Sequence, residues 1–382
     1  MLRGGSVVIV GGGVIGLSIA YHLTKRGYQD VVVVERGMLA AGATAKATGG
    51  IRQQFSSAVN IALSRRAVDY FEHFAERVGE PIDFRQHGYL FLLDREEQLA
   101  VFRANAARQR AAGVPVEILD PREILSIMPH VRIEDLVGAS YCPTDGSASP
   151  SDVAHAFARQ ARAGGARVLE ETTVIGIERD ANGAVTAVET TAGDLPAELV
   201  VNAAGPWASE IGRLVDVDVP VEPHRRQAFG IKLAGWPAGD LPLTVDFATG
   251  AYVHPEVDGG VIGGADRETP AGFRTEVDWD VAMVQWEALI HRIPLIADAE
   301  IRRGWAGLRE MTPDDHGILG PTADVPGFWL ATGFSGHGFM HAPIVGELLS
   351  EWLLDGVPSI ALSPLRLERF ASGAAIREAA AF

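Results

Sequence analysis

A strand–glycine–helix–strand pattern at the N-terminus constrains the fold more than any other stretch of this sequence. Residues 6–10 (SVVIV) are apolar and mostly β-branched, as a buried parallel strand requires. They run directly into GGGVIG at residues 11–16, which contains the spacing G-x-G-x-x-G, and then into a helical pattern that Gly27 closes. A second apolar run, VVVV at residues 31–34, ends at Glu35. Together these features predict a β-α-β unit within an α/β fold.

This unit has the parts that bind a dinucleotide. Gly11 permits a tight turn, Gly13 lets the backbone approach a pyrophosphate, and Gly16 lets the helix pack closely on the strand. The helix then begins at Val14 and Ile15, where unpaired N–H groups face the phosphates. A glycine-rich turn without a ligand is the alternative, and the complete unit disfavours it.

The residues from Glu35 onward distinguish the possible dinucleotides. Glu35 can accept hydrogen bonds from both ribose hydroxyls and would repel a 2′-phosphate, so NADP is disfavoured. Residues 36–55 are small and rich in Gly and Ala, where an NAD enzyme would usually continue with another helix and strand. Such a stretch suits a chain that runs alongside a larger cofactor, and it favours FAD.

Length and charge bound the class of protein. The chain has 382 residues, of which 47% are hydrophobic, so two folded domains are expected. The net charge of −16 disfavours nucleic acid and anionic membrane surfaces as partners and leaves a small-molecule enzyme. The single cysteine, Cys142, cannot form an internal disulfide, and this favours a cytoplasmic protein. Residues 7–23 are almost free of polar side chains, but three glycines indicate a buried turn rather than a membrane span or signal sequence.

Local patterns predict the remaining elements. Residues 58–79 form one amphipathic helix, Ser151 caps a helix over residues 152–165, and Asn182-Gly183 turns a hairpin. Strand patterns broken by Pro and Gly occupy residues 219–264. The stretch ATGFSGHGFM at residues 331–340 then places three glycines between an apolar run and a helix, as a close approach of the backbone to a ligand would require.

These motifs resemble the FAD-dependent amino-acid and amine oxidoreductases, the group of D-amino acid oxidase, glycine oxidase, monomeric sarcosine oxidase, and the β subunits of sarcosine oxidase and proline dehydrogenase. The likeness lies in the N-terminal unit and in four segments: TGGIRQQF at 48–55, VVNAAGPWA at 200–208, GWAGLREMTPDDHGILGP at 304–321 and GFSGHGFM at 333–340. It spans nearly the whole chain and keeps the order of the motifs.

The resemblance implies an interleaved organisation. A Rossmann-like FAD-binding domain is expected at residues 1–82, 137–218 and 311–382, with an antiparallel-sheet substrate domain at 83–136 and 219–310. It further implies that FAD contacts residues along the whole chain, namely Gly11, Gly13, Val14, Ile15, Gly16, Glu35, Arg36, Thr44, Lys46, Thr48, Gly49, Gly50, Ile51, Val174, Ala204, Gly205, Trp207, Arg309, Gly333, Phe334, Ser335, Gly336, His337, Gly338, Phe339 and Met340. Backbone N–H groups of the last segment would face the negative charge of reduced flavin.

An amino-acid substrate has a carboxylate that a fixed arginine can bind through two parallel hydrogen bonds. By position, Arg309 matches the carboxylate-binding arginine of glycine oxidase and D-amino acid oxidase; a surface ion pair with Glu310 or Asp314 is the alternative. Arg52 is the second candidate, and a salt bridge beneath the flavin is its alternative role. Tyr252 and His254 share a strand face as further candidates, and Lys46 and His224 are weaker ones near the cofactor channel.

Two departures from the family refine these expectations. GLREM at residues 307–311 lacks the cysteine that attaches flavin in monomeric sarcosine oxidase, so FAD should be noncovalent. GGVIGG at residues 259–264 lacks the lysine that activates oxygen there, so a dehydrogenase with another electron acceptor is credible beside an oxidase. No metal is expected, since His337 and His341 stand alone without an H-E-x-x-H motif.

The sequence therefore predicts oxidation of the C–N bond of a small amino or imino acid, sarcosine-, glycine- or proline-like, by hydride transfer to flavin N5. Oxidation of a 2-hydroxy acid is the alternative, since it needs the same carboxylate clamp together with a base. A third possibility is a flavin-bearing subunit of a larger complex. The oligomer could be homomeric or heteromeric.

Overall fold

The fold is built from two large sheets with helices packed around them. The computed structural model describes residues 4–234, 236, 241–256, 259–265 and 269–378. Its strands are β1 (Val7–Val10), β2 (Val31–Val34), β3 (Gly50–Ile51), β4 (Tyr89–Leu93), β5 (Glu117–Leu119), β6 (Gly138–Cys142), β7 (Gly146–Ser147), β8 (Arg167–Leu169), β9 (Val174–Arg179), β10 (Val185–Thr190), β11 (Leu195–Pro196), β12 (Leu199–Asn202), β13 (Glu222–Lys232), β14 (Leu243–Asp246), β15 (Tyr252–Glu256), β16 (Gly259–Gly263), β17 (Glu300–Met311), β18 (Ile318–Pro321) and β19 (Phe328–Thr332). Its helices are α1 (Val14–Lys25), α2 (Ala43–Lys46), α3 (Ala58–Glu72), α4 (Phe74–Val78), α5 (Glu96–Ala111), α6 (Pro121–Ile127), α7 (Pro150–Ala163), α8 (Ala208–Arg213), α9 (Trp279–Arg292) and α10 (Gly338–Asp355).

The first sheet has six strands in the order β18-β19-β12-β1-β2-β8. All neighbours are parallel except the pair β18–β19, so β1, β2, β12 and β19 end at the same edge. Both faces are buried: Val7 and Ile9 join the apolar cluster that contains α1, α7 and α10, whereas Val8 and Val10 join the cluster on the other face. The carboxyl edge of such a sheet is where dinucleotides bind.

The second sheet has eight strands in the order β17-β13-β16-β15-β14-β4-β6-β5. It is antiparallel as predicted except for the pair β14–β4, which is parallel. Strand β6 pairs with β4 in this sheet, although residue 137 was the predicted start of a nucleotide-domain segment. The α/β class, with a nucleotide-binding sheet and a second, largely antiparallel sheet, is confirmed.

Local predictions are mostly confirmed, with two corrections. The hairpin at Asn182-Gly183 joins β9 to β10, and Gly183 has φ +81°. The helix predicted over residues 58–79 is interrupted at His73, whose ring lies 2.9 Å from the Asp69 carbonyl one turn earlier. Helix α7 is capped by Ser149 and not by Ser151, because Pro150 already occupies its first turn.

The apolar N-terminal run divides into β1 and α1 of the first sheet layer, as its glycines indicated. Within the described residues, every helix is too short or too polar to span a lipid bilayer.

Candidate cofactor and substrate site

A cavity of about 730 Å³ opens at the carboxyl edge of the six-stranded sheet and extends to β17 and β15 of the other sheet. Segments from both ends of the chain form its walls. The predicted residues that line it are Gly11, Gly13, Val14, Ile15, Glu35, Arg36, Thr44, Lys46, Thr48, Gly49, Gly50, Arg52, Val174, Ala204, Gly205, Trp207, Tyr252, Arg309, Gly336, His337, Gly338, Phe339 and Met340. The structure thus brings together residues that lie more than 300 positions apart.

The remaining predicted residues lie behind this wall and do not line the cavity: Gly16, Ile51, His254, Gly333, Phe334 and Ser335, together with the weaker candidate His224. Gly16 lies against the carbonyl of Gly11, and residues 333–335 form the bend that carries the following glycines to the cavity. The ring of His254 is buried beside His87, with 6.1 Å between ring centroids, and burial lowers its pKa to about 4. Its position makes it a neutral packing residue in this structure.

Two glycines near the N-terminus allow close approach of the backbone. A Cβ atom on Gly11 would lie 2.3 Å from the carbonyl oxygen of Ala203, and Gly11 has φ +116°. Gly13 is the N-cap residue of α1, and its Cβ position faces only the Thr44 hydroxyl, at 3.4 Å, so the cavity side of this turn is open. That hydroxyl also accepts the N–H of Val14 at 3.1 Å. The turn therefore leaves room for a phosphate at the start of a helix.

Glu35 follows β2 at the same edge of the sheet. Its two carboxylate oxygens accept the N–H groups of Gly12 at 2.7 Å and Gly37 at 2.9 Å. These hydrogen bonds fix the carboxylate on the cavity wall, where the spacing of the motif predicted a ribose contact.

Arg52 is almost fully buried, with 2% of its surface exposed. Its guanidinium donates to the carbonyl of Gln54 at 2.7 Å and to Nε2 of His337 at 3.2 Å, and it stacks on the Phe55 ring at 4.0 Å. Burial is the main reason that the Arg52 pKa is lowered from its ordinary value, and Arg309 is a further, weaker cause. Arg52 is therefore held by protein groups on several sides.

Arg309 lies near the end of β17 and lines the same part of the cavity. A Cβ atom on Gly336, which has φ +97°, would lie 3.0 Å from the Arg309 Nε atom. Tyr252 lines the cavity from β15 and also leaves no room for a side chain at Gly263, since a Cβ atom there would lie 2.4 Å from its hydroxyl. Glycines thus make space for both side chains. Asp314, which was one alternative partner for Arg309, instead forms a buried ion pair with Arg369 at 2.7 Å.

The two histidines of the C-terminal glycine-rich segment are buried and neutral. Burial and the nearby Arg52 lower the pKa of His341 to about 3, and they lower the pKa of His337 well below its ordinary value. His341 also bonds to the Ser64 hydroxyl at 2.8 Å. These rings therefore add hydrogen-bonding groups to the site without adding positive charge.

Three acidic residues near the site were given no site role from the sequence, although Glu310 was considered as an ion-pair partner of Arg309. Asp145 is fully buried and accepts hydrogen bonds from Gln53 and Gln54 of the TGGIRQQF segment. Glu310 lines the cavity and accepts the hydroxyl of Thr332, and Glu378 accepts the N–H of Ser56 from near the other end of the chain. Only Glu310 could have been identified from the sequence, because it lies within the motif that contains Arg309.

The residues present fit FAD. Glycine turns that would collide with any added side chain, a helix N-terminus, an acid at the end of β2 and a second helix N-terminus at α10 line one continuous cavity. An elongated ligand with a pyrophosphate in its middle matches this arrangement.

Comparison with known proteins shows which family the chain belongs to. The model of the family described as DAO, FAD dependent oxidoreductase, matches residues 6–352. Glycine oxidase from Geobacillus kaustophilus is 32% identical over 370 residues, which cover 95% of this chain and 96% of that protein. The crystal structure of L-proline dehydrogenase from P. horikoshii has a TM-score of 0.92 and 33% identity, covering 99% of this chain and 100% of that one.

A mitochondrial relative is longer. The regulatory subunit of pyruvate dehydrogenase phosphatase from Mus musculus is 30% identical over 380 residues, and the chain spans only 43% of its length. The family model nevertheless covers most of the chain, and glycine oxidase matches nearly end to end. This chain belongs to the DAO family of FAD-dependent oxidoreductases.

Proposed function

We propose that this enzyme oxidises the C–N bond of a small amino or imino acid, with sarcosine, glycine and proline as the candidate substrates. The observation that carries the proposal is the pair Arg309 and Arg52, which meet the same loop, residues 336–337, at one end of the cavity. A carboxylate is the substrate group that such a cationic end recognises. Bound FAD supplies the hydride acceptor.

The two arginines have different roles in this proposal. Arg52 is buried beneath the site and forms hydrogen bonds with Gln54 and His337. It therefore contributes positive charge and holds the loop at residues 336–337. Arg309 lines the cavity from β17, an edge strand of the eight-stranded sheet. In this proposal it is the group that binds the substrate carboxylate. Tyr252, on the neighbouring wall, offers a hydroxyl to the same end of the substrate.

FAD is held without a covalent bond in this proposal. The chain has a single cysteine, and Cys142 is buried outside the residues that line the cavity. Release of the flavin by acid precipitation, leaving colourless protein, is the expected result. The electron acceptor is tested in parallel by comparing oxygen with a dye.

A substrate screen tests the reaction. Oxidised enzyme is mixed anaerobically with sarcosine, glycine, proline, lactate or glycolate, and bleaching of the flavin absorbance is followed. The amino or imino acids are expected to bleach it. Bleaching by a hydroxy acid and by no amine would establish the 2-hydroxy-acid alternative, and activity that appears only with an added partner chain would establish the subunit alternative.

The carboxylate clamp predicts the effect of Arg309→Ala. Truncating one member of such a charge pair costs about 2–5 kcal/mol, so KM should rise about 30-fold or more, with FAD retained. Steady-state kinetics measure KM, and the flavin spectrum reports the cofactor. Arg302→Ala is the matched control, because Arg302 is an exposed residue of the same strand that pairs with Glu300. An unchanged KM in Arg309→Ala removes the assigned role.

A further inference from the structure

Glu310 places a carboxyl group where three chain segments meet beside the cavity. Its Oε1 atom accepts the N–H of Phe334 at 3.3 Å, and its Oε2 atom accepts the hydroxyl of Thr332 at 3.0 Å. A Cβ atom on Gly205 would lie 3.4 Å from Oε2, and one on Gly338 would lie 3.6 Å from Oε1. The carboxyl group is thus adjacent to two cavity-lining glycines and to the N-terminus of α10.

The surroundings of Glu310 make it easy to protonate. Burial raises the pKa of its carboxyl group, and the N–H groups of Gly333 and Phe334 and the Thr332 hydroxyl oppose this shift only in part. The elements around it carry further charged or titratable groups: Arg309, Asp314 and Asp315 on its own segment, Glu222, His224, Arg225 and Arg226 on β13, Glu210 and Arg213 on α8, and His337 before α10. Burial is the largest cause of the shift in the Glu310 pKa.

We propose that Glu310 is ionised while the bound FAD is oxidised and takes up one proton from solvent when the FAD is reduced. A hydride brings two electrons and one proton, so its arrival adds one negative charge to the site. Protonation of one Glu310 oxygen removes one negative charge and restores the balance, because two like charges in a poorly solvated site repel each other. The N–H groups that open α10 are then left to face a single anion.

This inference rests on FAD binding and not on the identity of the substrate. It is tested by the pH dependence of the FAD midpoint potential, measured by spectroelectrochemical titration between about pH 6 and pH 8. Each proton taken up with two electrons changes the equilibrium tenfold per pH unit, which is about 30 mV. The wild-type potential should fall by about 60 mV per pH unit, for two protons, and that of Glu310→Gln by about 30 mV per pH unit, for one.

Glutamine suits the position, so the variant tests charge rather than folding. The oxygen of glutamine can accept the Phe334 N–H, and its amide can donate to the Thr332 hydroxyl. That hydroxyl can in turn donate to the Gly205 carbonyl, which lies 3.3 Å away. Glu178→Gln, at an exposed position on β9, is the matched control and should keep the wild-type slope. Equal slopes in wild type and Glu310→Gln, at either value, overturn the proposal.

A second measurement tests protonation of Glu310 if Glu310→Gln does not bind FAD. The infrared difference spectrum of the wild type should gain a protonated-carboxyl band on chemical reduction. That band should shift in Thr332→Val, because the hydroxyl that bonds to Glu310 is lost. A missing band, or one that Thr332→Val leaves in place, is evidence against Glu310. Chemical reduction needs no substrate, so failure here is distinct from failure of the substrate screen.

Discussion

Asp145 organises the segment that holds Arg52 although it lies outside the cavity wall. Its Oδ1 atom accepts the backbone N–H of Gln53 at 2.9 Å, and its Oδ2 atom accepts the side-chain amide of Gln54 at 3.2 Å. The carbonyl of Gln54 in turn accepts Nη1 of Arg52 at 2.7 Å. A single buried carboxylate therefore orders two consecutive glutamines and, through them, an arginine next to the site.

This burial has a consequence for stability against pH. Burial raises the pKa of Asp145 to about 6, above its value of about 4 in an unfolded chain. The folded state thus holds the proton more tightly, so the free energy of unfolding falls by about 3 kcal/mol as pH rises from about 4 to about 6. In Asp145→Asn this contribution should vanish, and urea unfolding across that pH range measures it.

The same variant should also show a loss that does not depend on pH, because its amide would face the donors of Gln53 or Gln54. Asp194→Asn, at an exposed position, is the control and should follow the wild-type pH profile. A pH profile of Asp145→Asn that is parallel to the wild type would show that the carboxyl group is not the titrating one.

The site residues that could be predicted from the sequence are those that belong to a local motif. The glycine spacing fixes Gly11, Gly13 and Glu35 because turn, helix and strand lengths are determined within about 30 residues. Asp145 and Glu378 have no such motif, since their partners lie 92 and 322 positions away. Their roles follow only from the packing of distant segments.

The N-terminus of α7 offers a test of helix capping. The Ser149 hydroxyl accepts the N–H of Asp152 at 3.3 Å, while Ser151 lies within the helix. Ser149→Ala should lower the free energy of unfolding by about 1 kcal/mol, because the cap bond is lost. Ser151→Ala should leave it within about 0.5 kcal/mol of wild type. Thermal unfolding of the pair measures the difference, and equal losses would contradict the assignment.

Helices and strands with strong local periodicity were predictable, and their pairing was not. The continuous apolar run at residues 89–93 is typical of a buried strand such as β4, but nothing local indicates that β4 pairs in parallel with β14, about 150 residues later. Strand β6, with the sequence GASYC, lacks an apolar alternation and is defined by its hydrogen bonds to β4 and β5. Register between distant strands depends on the whole sheet.

The C-terminal end of the described chain packs against the segment that follows Arg52. Glu378 accepts the N–H of Ser56 at 2.6 Å just before α3, and Asn60 on α3 lies 3.4 Å from its other oxygen. The segment before it is fixed by Asp314, which accepts the N–H of Ile376 at 3.2 Å. The C-terminal segment therefore braces the part of the chain that follows Arg52.

Glu378→Ala should therefore destabilise the protein. Loss of the acceptor for Ser56 and Asn60 in a buried setting should lower the free energy of unfolding by about 1–3 kcal/mol, measured by thermal unfolding of the FAD-loaded enzyme. The neighbouring Arg377 is exposed, so Arg377→Ala should have almost no effect. Equal stability of Glu378→Ala and wild type would mean that the C-terminal segment does not brace the site.

The strand order of the first sheet constrains the order in which its strands can pair during synthesis. Strand β1 lies between β2 and β12; strand β12 is made about 190 residues after β1, and it also pairs with β19, which is made more than 300 residues after β1. The nascent chain must therefore keep one edge of β1 unpaired until β12 has been made, and one edge of β12 unpaired until β19 has been made. An emerging polypeptide with such apolar, unpaired strands is a natural client for chaperones.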